Sequence, residues 1–523
     1  MADTKREIER KYESDTGTLP DLTRVTGVAS VLHQGVSHLD ATYHDTTDAR
    51  LAASAVTLRH RTGGSDAGWH LKFPVAPGVR DEIRAPLSDT LPDELAALVR
   101  SRVRDRPLLP VVRLRSDRDV HHLVDTDGRL LAEVSVDTVH AERLTGDGGT
   151  ARWTEIEVEL ADDGDPAFLD KVEKRLRKAG VRPSESTSKL ARALAETAPD
   201  TATTPTPTPT PATAPEAAPR QKRRSRAVGT PVTAGDHVLA YVRAQRDALV
   251  ELDPAVRQDL PDSVHSMRVA TRRLRSTFRT FGSVLDREST DPVATDLKWL
   301  AGELGLDRDR EVLAERLGAA LAALPGTLVS GPVGDRLTAW SEARHAGAHG
   351  HLTAILDSRR YLTLLDTLAA LLEDPPLRKK AGAAPEKVLT RAVRKDLDKL
   401  AALVTHALEL PPGTDRDVAL HEARKKTKRT RYAAETAAPA LGGPAKELAG
   451  AMKSLQGLLG DHQDSVMARR TLRELAAVAH AAGENTFTHG VLHAREERRA
   501  EIAENALPEA WKSISKDLRP WTT

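Results

Sequence analysis

The sequence predicts an α+β multidomain protein, with an antiparallel β unit followed by an all-helical unit built from a duplicated segment. Three observations predict it. Charged and apolar residues alternate at a period of two through residues 5–196, as in strands. A Thr-Pro run from Thr204 to Pro211 then interrupts the patterning. Beyond it, the helical stretch Val264 to Arg275 recurs as Leu420 to Arg431, at a constant offset of 156 residues (421 − 265, 424 − 268, 431 − 275).

Composition bounds the classes of function. The 523 residues leave room for several domains, and aromatics at 3% force aliphatic, Ala-rich cores. Cysteine is absent, which excludes disulfides and Cys-ligated zinc. The N-terminus MADTKREIERKYE has no apolar signal core, and no apolar run is long enough to span a bilayer. The expectation is a soluble cytoplasmic protein with no membrane partner. The net charge of +1 hides clusters of each sign.

In chain order, Glu7, Glu9 and Lys11 share one parity, and so do Arg59 and Arg61. Lys72 lies between Leu71 and Phe73. Arg80, Glu82 and Arg84 alternate, as do Arg113 and Arg115. Glu133 and Asp137 share a parity, and Glu155, Glu157 and Glu159 alternate with Ile156, Val158 and Leu160. Residues of one parity share one face of a strand. A closed barrel with a charged lumen explains this pattern, and so does a two-layer sheet with a solvated charged face. Asp162 to Asp165 predicts a turn, and Phe168, Leu169, Val172 and Leu176 predict a helix over 166–180.

Glu7-Ile8-Glu9-Arg10-Lys11 resembles the E-x-E-x-K signature of the CYTH domain, the triphosphate tunnel metalloenzyme family. Further pieces match in order: Tyr43 to Thr46, Leu58 to Arg61, Leu71-Lys72, Arg80 to Glu82, Trp153 to Leu160 and Ser188 to Leu194. The resemblance implies an eight-stranded antiparallel β tunnel over residues 1–196 that binds triphosphates with Mg²⁺ or Mn²⁺. It also makes Ser188 to Glu196 the helix that closes the tunnel.

Such a lumen needs cations for phosphate oxygens, and Arg supplies forked donors suited to them. The candidates are Lys11, Arg59, Arg61, Lys72, Arg84, Arg113, Arg115 and Lys189, with Glu82 beside them in the candidate catalytic set. Hard divalent ions need carboxylate oxygens. Glu7, Glu9, Glu157 and Glu159 are the first candidate ligands, followed by Glu133, Asp137 and Glu155. His44 and His60 fit packing or surface roles better than ligand roles. No general base can be assigned from this pattern.

Residues 197–232 read as a linker, because Thr-Pro repeats favour extended polyproline II and cannot build a core. Its basic run Gln221 to Arg226 reads as a solvated tail.

Residues 233–523 read as helices in two halves, about 235–375 and 385–520. Each half opens with an apolar-periodic segment, Val238 to Leu252 and Val388 to Leu408. In the first copy of the repeat, His265, Arg268, Arg272, Arg275 and Arg279 fall within an arc of roughly 80° on a helical wheel. Met267, Leu274, Phe278 and Phe281 gather nearly opposite. The second copy repeats the basic side with His421, Arg424, Lys428 and Arg431, over a small-residue side of Ala423, Thr427, Thr430 and Ala434. Like charges on one helix face repel unless an anion neutralises them. Each half then carries a Leu-Gly-x-x-x-Asp turn, at Leu304 to Asp309 and Leu459 to Asp464.

His265, Arg268, Arg272, Arg273 and Arg275, their counterparts His421, Arg424, Lys428, Arg429 and Arg431, and the two turns resemble the CHAD domain. That family implies a bundle of two pseudo-symmetric four-helix halves that binds inorganic polyphosphate. Arg279 and Lys425 join the candidate contacts. Cations rather than further ligands follow each His, so a polyanion fits better than a metal.

The function expected is metal-dependent hydrolysis of a short triphosphate, inorganic tripolyphosphate first, beside polyphosphate binding. The alternatives are a tunnel acting on thiamine triphosphate or ATP, or a non-catalytic polyphosphate-targeting protein. Nucleic acid is disfavoured as a partner, because aromatics for base stacking are sparse. The sequence does not set the oligomeric state.

Overall fold

The computed structural model describes residues 3–15, 17–146, 148–198, 230–305, 308–517 and 521. The chain divides into two compact units, Met1–Pro219 and Arg220–Thr523. Most of the predicted linker, with the run Gln221 to Arg226, lies outside the described residues, as do Leu306 and Asp307.

The first unit holds β1 (Asp3–Glu13), β2 (Ser30–Asp45), α1 (Arg50–Ala53), β3 (Thr57–Thr62), β4 (Gly68–Ala76), β5 (Val79–Pro86), α2 (Asp93–Val103), β6 (Leu109–Val124), β7 (Leu130–Arg143), β8 (Thr150–Leu160), α3 (Ala167–Lys178), the two-residue β9 (Arg182–Pro183) and α4 (Lys189–Glu196). The sheet order β5-β4-β3-β2-β6-β7-β8-β1 closes on itself through β5 and β1. All pairs are antiparallel, so eight strands form a ring without free edges. β1 makes the closure alone, pairing with β5 over Asp3–Ile8 and with β8 over Glu9–Glu13.

The period of two sorts side chains between lumen and exterior. Outside, α3 lays Phe168, Leu169, Val172 and Leu176 on Val134, Val136, Ile156 and Val158. α2 covers Leu58, Leu71 and Ile83 with Leu95, Leu98 and Val99. Each such side chain contributes about 1.5–3 kcal/mol on burial, which holds the exterior faces to their helices. At one end of the ring the inward positions turn apolar. Val112, Leu114, Val139, Ala141 and Trp153 pack there with Leu190 and Ala193 of α4, which stoppers the tunnel.

The second unit holds α5 (Ala234–Arg257), α6 (Ser263–Thr280), α7 (Arg287–Glu303), α8 (Arg308–Ala322), α9 (Val333–Asp357), α10 (Arg359–Glu373), α11 (Pro385–Glu409), α12 (Thr414–Leu441), α13 (Gly443–Ala481) and α14 (Phe487–Asp517). The second half is four long helices, α11 to α14. The first half has the same plan with two helices broken, α7 from α8 after Glu303 and α9 from α10 at Ser358. The halves share one core, in which Met267, Leu274 and Phe278 of α6 belong with Leu420, Ala423 and Ala434 of α12. A smaller core joins Leu317 of α8, Val333 of α9, Leu472 of α13 and Leu492 of α14.

The second Leu-Gly-x-x-x-Asp motif corrects the sequence reading. Leu459 to Asp464 is not a turn but the interior of the 39-residue α13. A helix-interior Gly costs about 1 kcal/mol relative to Ala. Burial of Leu455, Leu459, Ser465 and Ala468 along the same helix outweighs that cost. The first copy does turn at Leu304-Gly305.

Candidate active site and basic groove

The lumen encloses a cavity of about 290 Å³ lined by charges of both signs. Lys5, Glu7, Glu9 and Lys11 of β1 face it, with Arg59 and Arg61 of β3 and Lys72 of β4. Arg80, Glu82 and Arg84 of β5, Arg118 of β6, Glu133 of β7, Glu157 and Glu159 of β8, Lys189 of α4 and the loop residues Asp66 and Asp162 complete its charged wall.

Two knots organise the wall. The first centres on Glu82, which has no solvent exposure. His70 Nδ1 lies 2.8 Å from it, Lys72 3.3 Å and Arg59 3.6 Å, and Arg84 pairs with it closely. Burial works against the Glu82 charge, but the His70 hydrogen bond, Lys72 and Arg59 outweigh it and hold the carboxyl below its usual range. Lys72 also reaches Glu7 at 2.5 Å. Burial pushes Glu7 up; Lys72 opposes this, while Glu82 and Glu159 add repulsion.

The second knot joins Asp137, Glu155 and Glu157, whose carboxylate oxygens lie within 4.8 Å of one another, a grouping able to hold a metal ion. Arg118 lies 2.7 Å from Asp137 and 2.9 Å from Glu157. Lys189 touches all three carboxylates, and Lys11 pairs closely with Glu157. Burial opposes the Glu157 charge, yet Lys11, Lys189 and Arg118 together hold its carboxyl well below the usual range.

Arg113 and Arg115 are elsewhere. They lie on the outer face of β6, where Arg113 Nε donates to Asp40 at 2.9 Å and the Arg115 side chain is 58% exposed. The reason is parity. The inward positions of β6 are Val112 and Leu114 at the stoppered end and Arg118 beyond it, so the strand's Arg-rich parity faces out. Arg118 is therefore the β6 cation that sequence reasoning missed, and its signal was its shared parity with Val112 and Leu114. Tyr43 was also missed as a lining residue; its hydroxyl accepts from Arg59 Nη1 at 3.4 Å. His44 and His60 pack on the Trp69 ring, with centroids 5.1 and 4.9 Å away.

In the helical unit α6 packs beside α12 and their basic faces converge. Lys428 is half-buried, near Arg424 on its own helix and near Arg272 and Arg268 on α6. Burial and these three guanidinium groups lower it to about 7, with Asp464 opposing them. Burial, then Arg279 and Arg272, depress Arg275 in the same way. Arg268 passes directly over Gly305, and Arg424 passes over Gly460. Gly305 thus leaves room that a Cβ would take from Arg268, whereas a Cβ at residue 460 would meet Arg424 only at ordinary contact distance. His265 is exposed, and His421 Nδ1 lies 2.7 Å from Gln463 Oε1. The Asp309 side chain lies outside the described residues.

Arg273, Arg429, Arg431 and Lys425 are among the predicted contacts engaged within the fold. Arg273 pairs with Glu435 at 3.0 Å and sits over the Tyr432 ring. Arg429 reaches Asp396 at 3.1 Å, where Lys426 is buried too. Arg431 pairs with Glu435 at 2.9 Å, and Lys425 with Glu422 at 2.5 Å. A further potential metal group, Asp417, His462 and Glu504, joins α12, α13 and α14. Arg469 lies 3.4 Å from Asp417 and Arg416 3.2 Å from Glu504, so its acids already have cationic partners. No helix among the described residues is long and apolar enough to cross a membrane.

Comparison with known proteins places these two sites in a family. Residues 5–194 match the CYTH domain and residues 240–473 match the CHAD domain. Two uncharacterized proteins of Mycobacterium tuberculosis, MT2285 and Rv2226, are each 36% identical over 529 residues, covering 98% of this chain and 97% of their own. Among solved structures, PptA from Streptomyces chartreusis is 25% identical with a TM-score of 0.46, covering 54% of this chain and all of its own. Since likeness to the mycobacterial proteins runs nearly end to end, across the tunnel and the helical repeat alike, the chain belongs to the family that joins a CYTH domain to a CHAD domain.

Proposed function

We propose that the tunnel unit is a metal-dependent triphosphatase acting on inorganic tripolyphosphate, and that the helical unit binds inorganic polyphosphate. The observation that carries the first half is the lumen itself, where cations and carboxylates from the ring strands share one 290 Å³ cavity. Cations alone would suit any small anion. Carboxylates facing a phosphate chain would repel it, so their presence calls for a divalent cation between them.

The donor set fits Mg²⁺ or Mn²⁺, being all-oxygen and carboxylate-rich. Glu7, Glu9, Glu157 and Glu159 are the residues that would hold the ion, with Asp137 and Glu155 grouped beside Glu157. Bound there, the metal neutralises phosphate charge and favours attack by water. Arg59, Arg61, Arg84 and Lys72 bind the phosphate oxygens. Glu82 positions Lys72, Arg59 and Arg84 from behind. Tyr43 is the one aromatic side chain among the described lining residues, too little to sandwich a base or thiazole ring. This supports a bare phosphate chain over ATP or thiamine triphosphate.

Phosphate release from the purified chain, compared for tripolyphosphate, ATP and thiamine triphosphate with Mn²⁺ and with excess EDTA, tests the reading. Tripolyphosphate should be turned over fastest, and EDTA should abolish turnover. Turnover undiminished by EDTA would exclude the metal mechanism.

The binding half rests on Arg268, Arg272, Arg424 and Lys428 converging where α6 meets α12. Polyphosphate presents closely spaced charges to such a groove, and binding should weaken steeply with salt. Replacing all four with Ala should remove most polyphosphate binding and leave tripolyphosphate hydrolysis nearly unchanged. Single-stranded DNA should compete poorly on the wild type. Unaltered polyphosphate binding by the folded quadruple variant would reject the groove.

A further inference from the structure

Among the described residues, every buried or half-buried lysine but one meets a carboxylate. Lys5 lies 2.7 Å from Glu159, and Lys72 lies 2.5 Å from Glu7. Lys11 pairs closely with Glu157, and Lys426 with Asp396. Lys189 meets Asp137, Glu155 and Glu157. An ammonium withdrawn from water needs such a partner, because burial alone disfavours its charge.

Lys428 is the exception. It stands two residues beyond Lys426 on α12, half-buried, and its ammonium has no ion pair or hydrogen bond among the described residues. It faces cations instead, Arg424 one turn back on α12 and Arg272 and Arg268 of α6. Asp464 of α13 opposes them from beyond ion-pair distance. Arg424 passes over Gly460, and Asp464 follows one turn later on the same face of α13. Burial and the three guanidinium groups lower Lys428 to about 7. The carboxylate that the fold gives its other lysines is therefore missing here, at the centre of the basic groove.

We infer that polyphosphate binding in this groove is proton-coupled: Lys428 is largely uncharged in the empty groove above neutral pH, and a bound phosphate chain restores its proton. The inference rests on the polyphosphate-binding reading and adds its regulation by pH. The proton comes from solvent and goes to Nζ, and no bond of the phosphate chain changes. Phosphate oxygens beside Nζ bring it back toward the ordinary lysine value near 10.4. Between about 7 and the value in the complex, binding takes up a proton. Affinity then falls by up to about tenfold for each pH unit gained. Below this window the ammonium is already charged and the coupling vanishes. Arg268, Arg272 and Arg424 keep their charge throughout. His265 and His421 share these helix faces, so the measurement starts at about pH 7.5, where imidazoles of ordinary or lowered value are neutral.

The test is isothermal titration calorimetry of long-chain polyphosphate into the full chain. Two buffers of different ionisation enthalpy count the protons taken up per bound site. Wild type, Lys428→Arg and Asp464→Asn are compared from about pH 7.5 to about pH 9 at constant ionic strength. Wild type should take up about one proton at pH 8, and its Kd should rise about tenfold across the range. Lys428→Arg carries a permanent cation, so it should take up none and shift its Kd by less than about twofold. Asp464→Asn should keep the wild-type proton count. Binding by wild type without proton uptake overturns the inference and spares the polyphosphate reading. Uptake that survives in Lys428→Arg, or disappears in Asp464→Asn, does the same by placing the proton elsewhere. If Lys428→Arg does not fold, Lys428→Gln replaces it, since it has no amine to titrate and should also take up none. A wild type that binds no polyphosphate at pH 7.5 defeats both.

Discussion

Single residues show how each unit tolerates concentrated charge. In the tunnel, Glu82 and Glu157 take the cations around them into paired networks. Where α6 meets α12, burial and Arg424, Arg272 and Arg268 lower Lys428 to about 7, with Asp464 opposing them. An unfolded lysine titrates near 10.4. Between about pH 7 and that value the unfolded chain binds the proton that the folded chain has shed. Stability therefore rises with pH through this window, and the full penalty of the buried ammonium is present below it. The expected result is a gain in unfolding free energy from pH 6.5 to pH 9 that is larger for wild type than for Lys428→Met, read by urea titration. Polyphosphate bound in the groove should reduce the difference. Equal pH dependence in the two proteins would show that Lys428 keeps its proton unaided.

At the scale of the element, the two halves of the helical unit treat one motif differently. Gly305 stands at a break between α7 and α8, while Gly460 lies within continuous α13. A Cβ at residue 305 would come within 2.8 Å of the Arg268 guanidinium, whereas at residue 460 the nearest Arg424 atoms are 3.8 Å away. Gly305→Ala should displace Arg268 and weaken polyphosphate binding with little loss of fold. Gly460→Ala should leave binding in place and raise stability by up to about 1 kcal/mol, the helix-interior difference between the two residues. Binding titrations and urea midpoints of both variants separate these outcomes. The amphipathic faces of α6 and α12 were legible in sequence because a 3.6-residue period sorts core from solvent. The continuity of α13 was not legible, because a Gly-x-x-x-Asp string suits a helix end and a helix interior alike.

At the scale of the molecule, each unit has its own hydrophobic cores. A fragment of residues 1–198 should therefore fold alone and hydrolyse tripolyphosphate at a rate close to that of the full chain. Circular dichroism and phosphate release check this. A folded but inert fragment would mean that the helical unit completes the site. On the proposed function, joining the two units in one chain would raise the local concentration of phosphate chains near the tunnel. Long-chain polyphosphate should accordingly inhibit or feed the full chain more strongly than the fragment.

The sequence by itself determined the two units, the alternating charge of the strands and the duplicated basic helix, while a closed lumen rather than a solvated sheet face came from the CYTH resemblance. These follow from local periodicity and an internal repeat, which need no knowledge of neighbours. Tertiary structure alone decided which charges meet. Arg113 and Arg115 carry the right chemistry, but β6 turns them outward, and only ring closure and the α4 stopper set which parity of that strand is inside. Arg273, Arg429 and Arg431 follow the repeat faithfully, and Glu435 and Asp396 engage them. Lys189 lines the lumen as its parity-free place on α4 allows, and its three carboxylate neighbours come from β7 and β8. A strand or helix fixes the direction of a side chain, but its partner comes from a distant part of the chain, and Coulomb attraction acts only across the distance that packing leaves.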